Sequence, residues 1–313
     1  MIRPGITSRP AAGPDPAADP PAAAAVVAGQ FRFFDAHVVR TRRLGPTLLR
    51  VTFGGDRLAG FASGGRDQSV SLFLPRPGQQ APVLPDRTGA GWYQAWLAEP
   101  EHERAVLRSY TVRAQRYQPL EVDVDFALHD AGSGHPSNGA GPAAAWAARA
   151  EPGDRVVLLG PATADNRSVG FRPPPDTDWI LLAADETALP ALGAILRWLP
   201  TAARGRAFVE VPYRQDVQDL PSPAGLDVTW LTREGGSASP GEILAGAVRA
   251  ADLPAGVPYA WIAGESAMVR GLRRHLVRER GYDRARIEFS GYWRRGASEE
   301  QLRSERGTMG DAD

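Results

Sequence analysis

The spacing of apolar residues changes character once along this chain, at Pro173-Pro174-Pro175. Upstream, apolar and polar residues alternate. Leu120, Val122, Val124, Phe126 and Leu128 interleave with Glu121, Asp123, Asp125 and Ala127, the period of a half-buried antiparallel strand. Shorter stretches of β character lie at Val38, at Leu48 to Phe53 after the Gly45-Pro46 turn, at Val70 to Leu74, and at Arg155 to Leu159 after Pro152-Gly153-Asp154. Many short strands separated by turns predict an antiparallel β-barrel. Downstream, Trp179 to Ala184 is continuously apolar, as in a strand covered on both faces. Helical stretches over 188–199, 240–251 and 267–280 then alternate with strands over 208–211, 228–231, 259–263 and 286–290. That alternation predicts a doubly wound parallel sheet. The expected fold class is therefore two-domain β + α/β: an antiparallel β-barrel over 30–172, then a doubly wound parallel-sheet domain over 176–296.

A chain of 313 residues accommodates two such domains. Residues 1–29, rich in Pro, Ala and Gly, are expected to be a disordered leader. Ala22 to Val27 is too short and weakly apolar for a secretion signal, and no Arg-Arg pair precedes an apolar stretch there. A charged, mobile tail is expected over 297–313. With 36 basic and 36 acidic residues, nothing argues for an electrostatic grip on nucleic acid or anionic lipid. Cysteine is absent, which excludes disulfides, thiolate nucleophiles and iron–sulfur clusters held by this chain's own thiolates. It also fits a cytoplasmic location. No apolar run approaches the ~20 residues of a membrane span.

The residues that carry chemistry begin with Arg108-Ser109-Tyr110-Thr111-Val112-Arg113. One strand carrying Arg, Tyr and Thr can present an aromatic plate, hydrogen-bonding groups and a positive charge. A flavin needs these for its ring, its pyrimidine edge and its pyrophosphate. A strand with a core tyrosine and a rim arginine has the same sequence, and such motifs are hypotheses. Gly141-Pro142-Ala143-Ala144, leading into Trp146-Ala147, suits either an anion site at a helix start or a plain capped loop. In the second half, Asp185-Glu186-Thr187 and Gly264-Glu265-Ser266 fall where strands end and helices begin. Ligands of open α/β sheets bind there, and Thr187 and Ser266 are also natural N-caps. No Gly-x-Gly-x-x-Gly follows the first of these strands, so the nicotinamide side carries the weaker motif. Gly291-Tyr292-Trp293-Arg294-Arg295-Gly296 is placed just past the last strand, either over a flavin or as a packed anchor. Arg214 and Arg233, near strand ends, either face a 2′-phosphate or are solvated.

Together these segments resemble the siderophore-interacting protein family, the flavin-dependent ferric-siderophore reductases with a ferredoxin-reductase-like plan. The resemblance runs in order from about 31 to 296. It rests on residues 108–113, Asp125 to His129, Gly141-Pro142-Ala143 with Trp146-Ala147, Pro152-Gly153-Asp154, Gly160-Pro161, 185–191, Trp261 to Glu265 and Tyr292-Trp293. It implies an FAD-binding barrel and an NAD(P)H-binding-type α/β domain. FAD contacts would come from Arg108, Ser109, Tyr110, Thr111, Asp125, Phe126, His129, Gly141, Pro142, Ala143, Ala144 and Trp293. Asp185, Glu186, Thr187, Gly264 and Glu265 would line the nicotinamide side, and Arg294 and Arg295 would meet an anionic substrate. No residue is assigned to a metal, and no side-chain acid, base or nucleophile is demanded. Electrons from NAD(P)H or reduced ferredoxin would pass through FAD to siderophore-bound Fe(III) and release Fe(II). Two departures bear on the substrate. Ser71 stands where the family commonly has lysine, and Ala144-Ala145 where it commonly has Ser-Arg. The alternatives are a flavin oxidoreductase of the same fold acting on another, biosynthetic substrate, and a non-catalytic siderophore-binding protein.

Overall fold

The computed structural model describes residues 29–85, 87, 91–128, 141–236 and 238–297. Its first half contains β1 (Phe31–Arg43), β2 (Leu48–Gly54), β3 (Ser69–Leu74), α1 (Trp92–Ala98), β4 (Val106–Thr111), β5 (Ala114–Tyr117), β6 (Leu120–Ala127), α2 (Pro142–Ala147) and β7 (Arg155–Pro161). These strands form one antiparallel sheet in the order β4-β3-β7-β1-β2-β6-β5. The sheet curls because β1 is long and carries an irregularity between Val38 and Arg40. Its first part pairs with β7 and its second with β2, and an extra residue in one strand bends the ladder. The two end strands are successive halves of one bent segment, since only Val112 and Arg113 separate β4 from β5. Inside the curl lie Phe34, Phe53, Phe61, Phe126 and Trp146 with the inward valines and leucines.

The alternation in β6 reads as one buried and one solvated face; the structure buries both. Glu121, Asp123 and Asp125 are only 4–6 % exposed. Arg40 of β1 holds Glu121 through two bonds of 2.7 and 2.8 Å, Arg50 of β2 holds Asp125 at 2.6 and 2.8 Å, and Arg116 of β5 bridges Glu121 and Asp123. Guanidinium groups from three neighbouring strands close over the acidic face, so residue polarity misreads its exposure. Burial alone would raise the Asp123 pKa, but Arg116 and the Thr52 hydroxyl outweigh it and hold it below the ordinary carboxylate value.

The second half contains β8 (Trp179–Ala184), α3 (Leu189–Trp198), β9 (Arg204–Val211), β10 (Gly225–Thr232), α4 (Glu242–Ala250), β11 (Pro258–Glu265), α5 (Ser266–Arg278) and β12 (Ile287–Trp293). Its five strands are parallel, in the order β10-β9-β8-β11-β12. All six residues of β8 are buried, because α3 covers one face of the sheet and α4 and α5 cover the other. β12 runs to Trp293, so Gly291-Tyr292-Trp293 is part of the last strand rather than a segment beyond it. Thr187 is not an N-cap: α3 is preceded by Ala188, and the Asp185 carboxylate takes the Thr187 and Ala188 amides. Ser266 is not one either. Glu265 caps α5 through the amides of Ala267 and Met268, while the Ser266 hydroxyl donates to the Trp293 carbonyl. In both cases a carboxylate one or two residues upstream outcompetes the hydroxyl as acceptor.

The halves share an apolar seam in which Leu48 and Ala127 of the curled sheet pack with Leu189, Leu192 and Val211. Polar bonds pin its edges. Asp67 accepts from the Gly170 and Phe171 amides and from Trp261 Nε1 of β11, the last at 3.0 Å. Buried Asp216, just after β9, accepts from both the amide and the hydroxyl of Thr47, each at 2.9 Å. Replacing Asp216 by alanine leaves two buried donors without partners. We expect a loss of about 3 kcal/mol of stability, read as a lowered denaturation midpoint.

Candidate functional site

The site begins where the curled sheet fails to close. Val112 N donates to Gln68 O, so Ser109 and Thr111 turn their main-chain groups away from β3. Likewise Leu128 N donates to Thr47 O, so Asp125 and Ala127 turn theirs away from β2. Just past β4 the chain bonds β6, Arg113 N donating to Asp123 O at 2.9 Å. From there β4 leaves β6 to pair with β3, and the two share no ladder. A slot opens between them, lipped by main chain at Ser109 and Thr111 on one side and at Asp125 and Ala127 on the other.

Side chains furnish the floor and the outer wall. The Tyr110 ring, half-buried, meets the Phe126 ring across the slot at 4.4 Å between centroids. Phe126 in turn lies 6.1 Å from Trp146 of α2, which packs against both β4 and β6. Gly141 and Pro142, exposed at the head of α2, and the buried Ala143 and Ala144 lie in this plug. Arg108 is half-buried and donates to the Leu107 carbonyl at 2.8 Å. On the outer side, Thr111 hydrogen-bonds Tyr292 of β12, whose phenol is kept protonated by burial. The slot thus lies on the seam between the two sheets.

A flavin needs a flat aromatic neighbour, main-chain donors and acceptors for its pyrimidine edge, and positive charge for its phosphates. Tyr110, the two lips and Arg108 match that set, so these residues fit the group. The Asp125 side chain is already saturated by Arg50, which leaves its main chain to face the slot. Trp293 Nε1 donates to Asp185 at 2.8 Å. His129 lies outside the described residues. Ser71 stands opposite Ser109 in the β3–β4 ladder, so the lysine common at that position in the family would have stood beside the slot.

The second group of expected residues gathers at the C-terminal ends of β8 and β11. These strands are neighbours whose connections leave in opposite directions, the switch point at which open sheets bind ligands. Asp185 is fully buried and central: it accepts from the Thr187 amide and hydroxyl, the Ala188 and Glu265 amides and Trp293 Nε1. Burial, and then the charge of Glu186, push its pKa up to about 6 against the pull of these donors. Gly264, at φ +142°, permits the approach, because a Cβ there would come within 2.5 Å of the Asp185 carboxyl. Glu186 is buried and paired with Arg233, which also reaches Glu210. Arg233 is therefore neither solvated nor facing outward, whereas Arg214 is exposed. Arg295 is exposed, with a 3.4 Å contact to Ser239, and Arg294 is half-buried.

Local sequence did not single out Arg50, Asp67 or Asp216. Each acts on a partner more than 70 residues away, and no local period carries that information.

Comparison with known proteins matches both halves of the chain. Residues 37–165 match the siderophore-interacting FAD-binding domain, and residues 177–296 match the siderophore-interacting protein model. The chain is 34 % identical to the ferric vibriobactin reductase ViuB of Vibrio cholerae over 87 % of its own length and 93 % of that protein. It is 29 % identical to the NADPH-dependent ferric-chelate reductase of Escherichia coli over 85 % and 95 %. The crystal structure of the siderophore-interacting protein SipS from Aeromonas hydrophila superposes with a TM-score of 0.70 at 32 % identity, over 90 % of this chain and 99 % of that one. A ferredoxin reductase in carbazole 1,9a-dioxygenase, at 17 % identity and TM-score 0.55 over 84 % and 70 %, shares the fold. The two family models, matched in order over both halves, and a relative at 34 % identity over nearly the whole chain show that this chain belongs to the siderophore-interacting protein family.

Proposed function

We propose that this protein is a cytoplasmic FAD-dependent ferric-siderophore reductase, taking electrons from NAD(P)H or a reduced ferredoxin and releasing Fe(II) from the substrate. The observation that carries the reading is the slot between β4 and β6, floored by Tyr110 and Phe126 and flanked by Arg108. FAD, when bound, supplies the conversion between a two-electron donor and one-electron acceptance by Fe(III). The chain's own residues bind, orient and shield. Tyr110 holds the ring plane, and the main chain of Ser109, Thr111, Asp125 and Ala127 reads the edge. Arg108, His129 and the 141–144 segment serve the diphosphate. Thr111 and Tyr292, joined across the seam, fix the distance between the barrel and the α/β domain. Trp293, anchored on Asp185, holds the end of β12 in register with it.

Asp185, Glu186, Thr187, Gly264 and Glu265 form the donor side. Because Glu186 and Glu210 already neutralise Arg233, that arginine gives no help to a 2′-phosphate. The relative named as NADPH-dependent supports a nicotinamide donor, and initial rates with NADH, NADPH and reduced ferredoxin decide among the three. Arg294 and Arg295 are assigned to the anionic ferric-siderophore, in place of the basic residues missing at Ser71 and Ala145. Siderophore affinity unchanged in an Arg294→Ala/Arg295→Ala variant removes that assignment.

The whole reading is tested on purified protein. We expect a yellow preparation, or stoichiometric uptake of added FAD, and donor-driven capture of Fe(II) by a ferrous chelator from a ferric-siderophore. Folded protein that takes up no FAD contradicts it.

A further inference from the structure

Arg113 closes the segment 108–113, and its main chain sits at the end of the slot, bonded to Asp123. Its side chain is only 5 % exposed and has been given no part in the site. The guanidinium lies 3.9 Å from the carboxylate of Asp125, whose main chain forms one lip of the slot. It also abuts α3, where a Cβ on Gly193 would come within 3.0 Å of Arg113 Nη2. Helix interiors disfavour glycine, and the one in α3 makes room for the guanidinium. We propose that Arg113 is the buried counter-charge for the reduced flavin, an assignment that rests on the FAD reading of the slot.

The charge of Arg113 is surplus. Arg40, Arg50, Arg113 and Arg116 stand on this face of the curled sheet against Glu121, Asp123 and Asp125. The three acids are already taken, Glu121 by Arg40 and Arg116, Asp123 by Arg116, and Asp125 by Arg50. Arg113 is left with an approach to Asp125 beyond hydrogen-bond range, and its Nη1 has no partner among the described residues. Burial lowers its pKa to about 10, with Arg50 and Arg197 of α3 repelling it and Asp125 and Asp123 compensating only in part. It stays charged at neutral pH.

Buried charges are ordinarily paired. An undercompensated one beside a ligand slot points to a partner that acquires negative charge there. Two electrons and one proton, as in hydride transfer, leave the neutral oxidised ring with one negative charge. The guanidinium does not need to touch the ring. In a dry seam the two charges attract across a distance at which water would screen them, and charge near the ring is one means by which a protein tunes a flavin.

The test is the midpoint potential of the full-length, FAD-loaded protein. Arg113→Met keeps an apolar stem and removes the charge, whereas Arg113→Lys keeps the charge. We expect Arg113→Met to weaken the binding of reduced relative to oxidised FAD about tenfold, which lowers the two-electron midpoint potential by about 30 mV. Arg113→Gln carries the same expectation, and Arg113→Lys should keep that ratio within about twofold of the wild type. A merely structural role would weaken both oxidation states alike and leave the potential in place. In the wild type, with no variant needed, bound FAD should have a higher potential than free FAD. Three results overturn the proposal: an unchanged potential in the neutral variants, an equal drop in Arg113→Lys, or wild-type bound FAD at or below the potential of free FAD. Folded wild type that takes up no FAD overturns the reading beneath it and this assignment with it, so the two failures are told apart.

Discussion

Changing Arg108 and Tyr110 together to alanine is expected to weaken FAD binding by roughly 100- to 1,000-fold. The aromatic plate contributes about 1–2 kcal/mol beyond simple burial, and a guanidinium near a diphosphate about 2 kcal/mol. At 1.4 kcal/mol per decade the sum spans about two to three decades. Flavin fluorescence quenching on titration reads the change directly. Two controls separate binding from folding. Tyr110→Phe keeps the ring on Phe126 and should lose less than about tenfold. Ser109→Ala keeps the main chain that faces the slot, and should stay near the wild type if that residue acts through its backbone. If the double variant keeps wild-type affinity, the slot is not the flavin site, whatever activity the protein retains.

The second large effect concerns stability. Asp185→Ala should destabilise the protein by about 4 kcal/mol near pH 5, because it strands the amides of Thr187, Ala188 and Glu265, the Thr187 hydroxyl and Trp293 Nε1 around one buried gap. The pH dependence has a definite sign. The native carboxyl, with its pKa near 6, binds a proton more tightly than the unfolded chain with an ordinary aspartate value. Its favourable share is therefore complete below the unfolded pKa, near 4, and is lost as pH rises through 6. The gap between wild type and variant should narrow over that window by up to about 1.4 kcal/mol per pH unit and level off above it. Denaturant titrations at pH 4.5, 5.5, 6.5 and 7.5 check this. A gap that widens with pH would mean that the five donors, rather than burial, govern the carboxyl.

Asp185 also shows why the two halves of the site differ in how well they can be read from sequence. As a strand-end acid before a helix, it reads in the sequence as a candidate for ligand contact. In the structure its oxygens are occupied by main-chain, hydroxyl and indole donors from three strand ends. Tyr110 is the opposite case. Its place on a short strand is local, and its ring packs against the barrel core on Phe126. Only the slot it floors required the tertiary structure, because the slot exists through a strand that changes partners at Val112 and Arg113.

Sequence alone determined the two architectures and their order. The period-two alternation of Leu120 to Leu128 and the continuous apolar run Trp179 to Ala184 are properties of side-chain spacing, and they mark an antiparallel strand and a strand covered on both faces. It also determined the family, because the motifs recur in the same order. What the tertiary structure decided was which charges are buried, which hydroxyls fail to cap, and where the sheet gapes. The acids of β6 are buried because arginines from β1, β2 and β5 close over them, and the seam holds because Thr47, Thr111 and Trp261 find partners far along the chain. Hydrogen bonds and ion pairs of that kind depend on distances in space, and no periodicity encodes them.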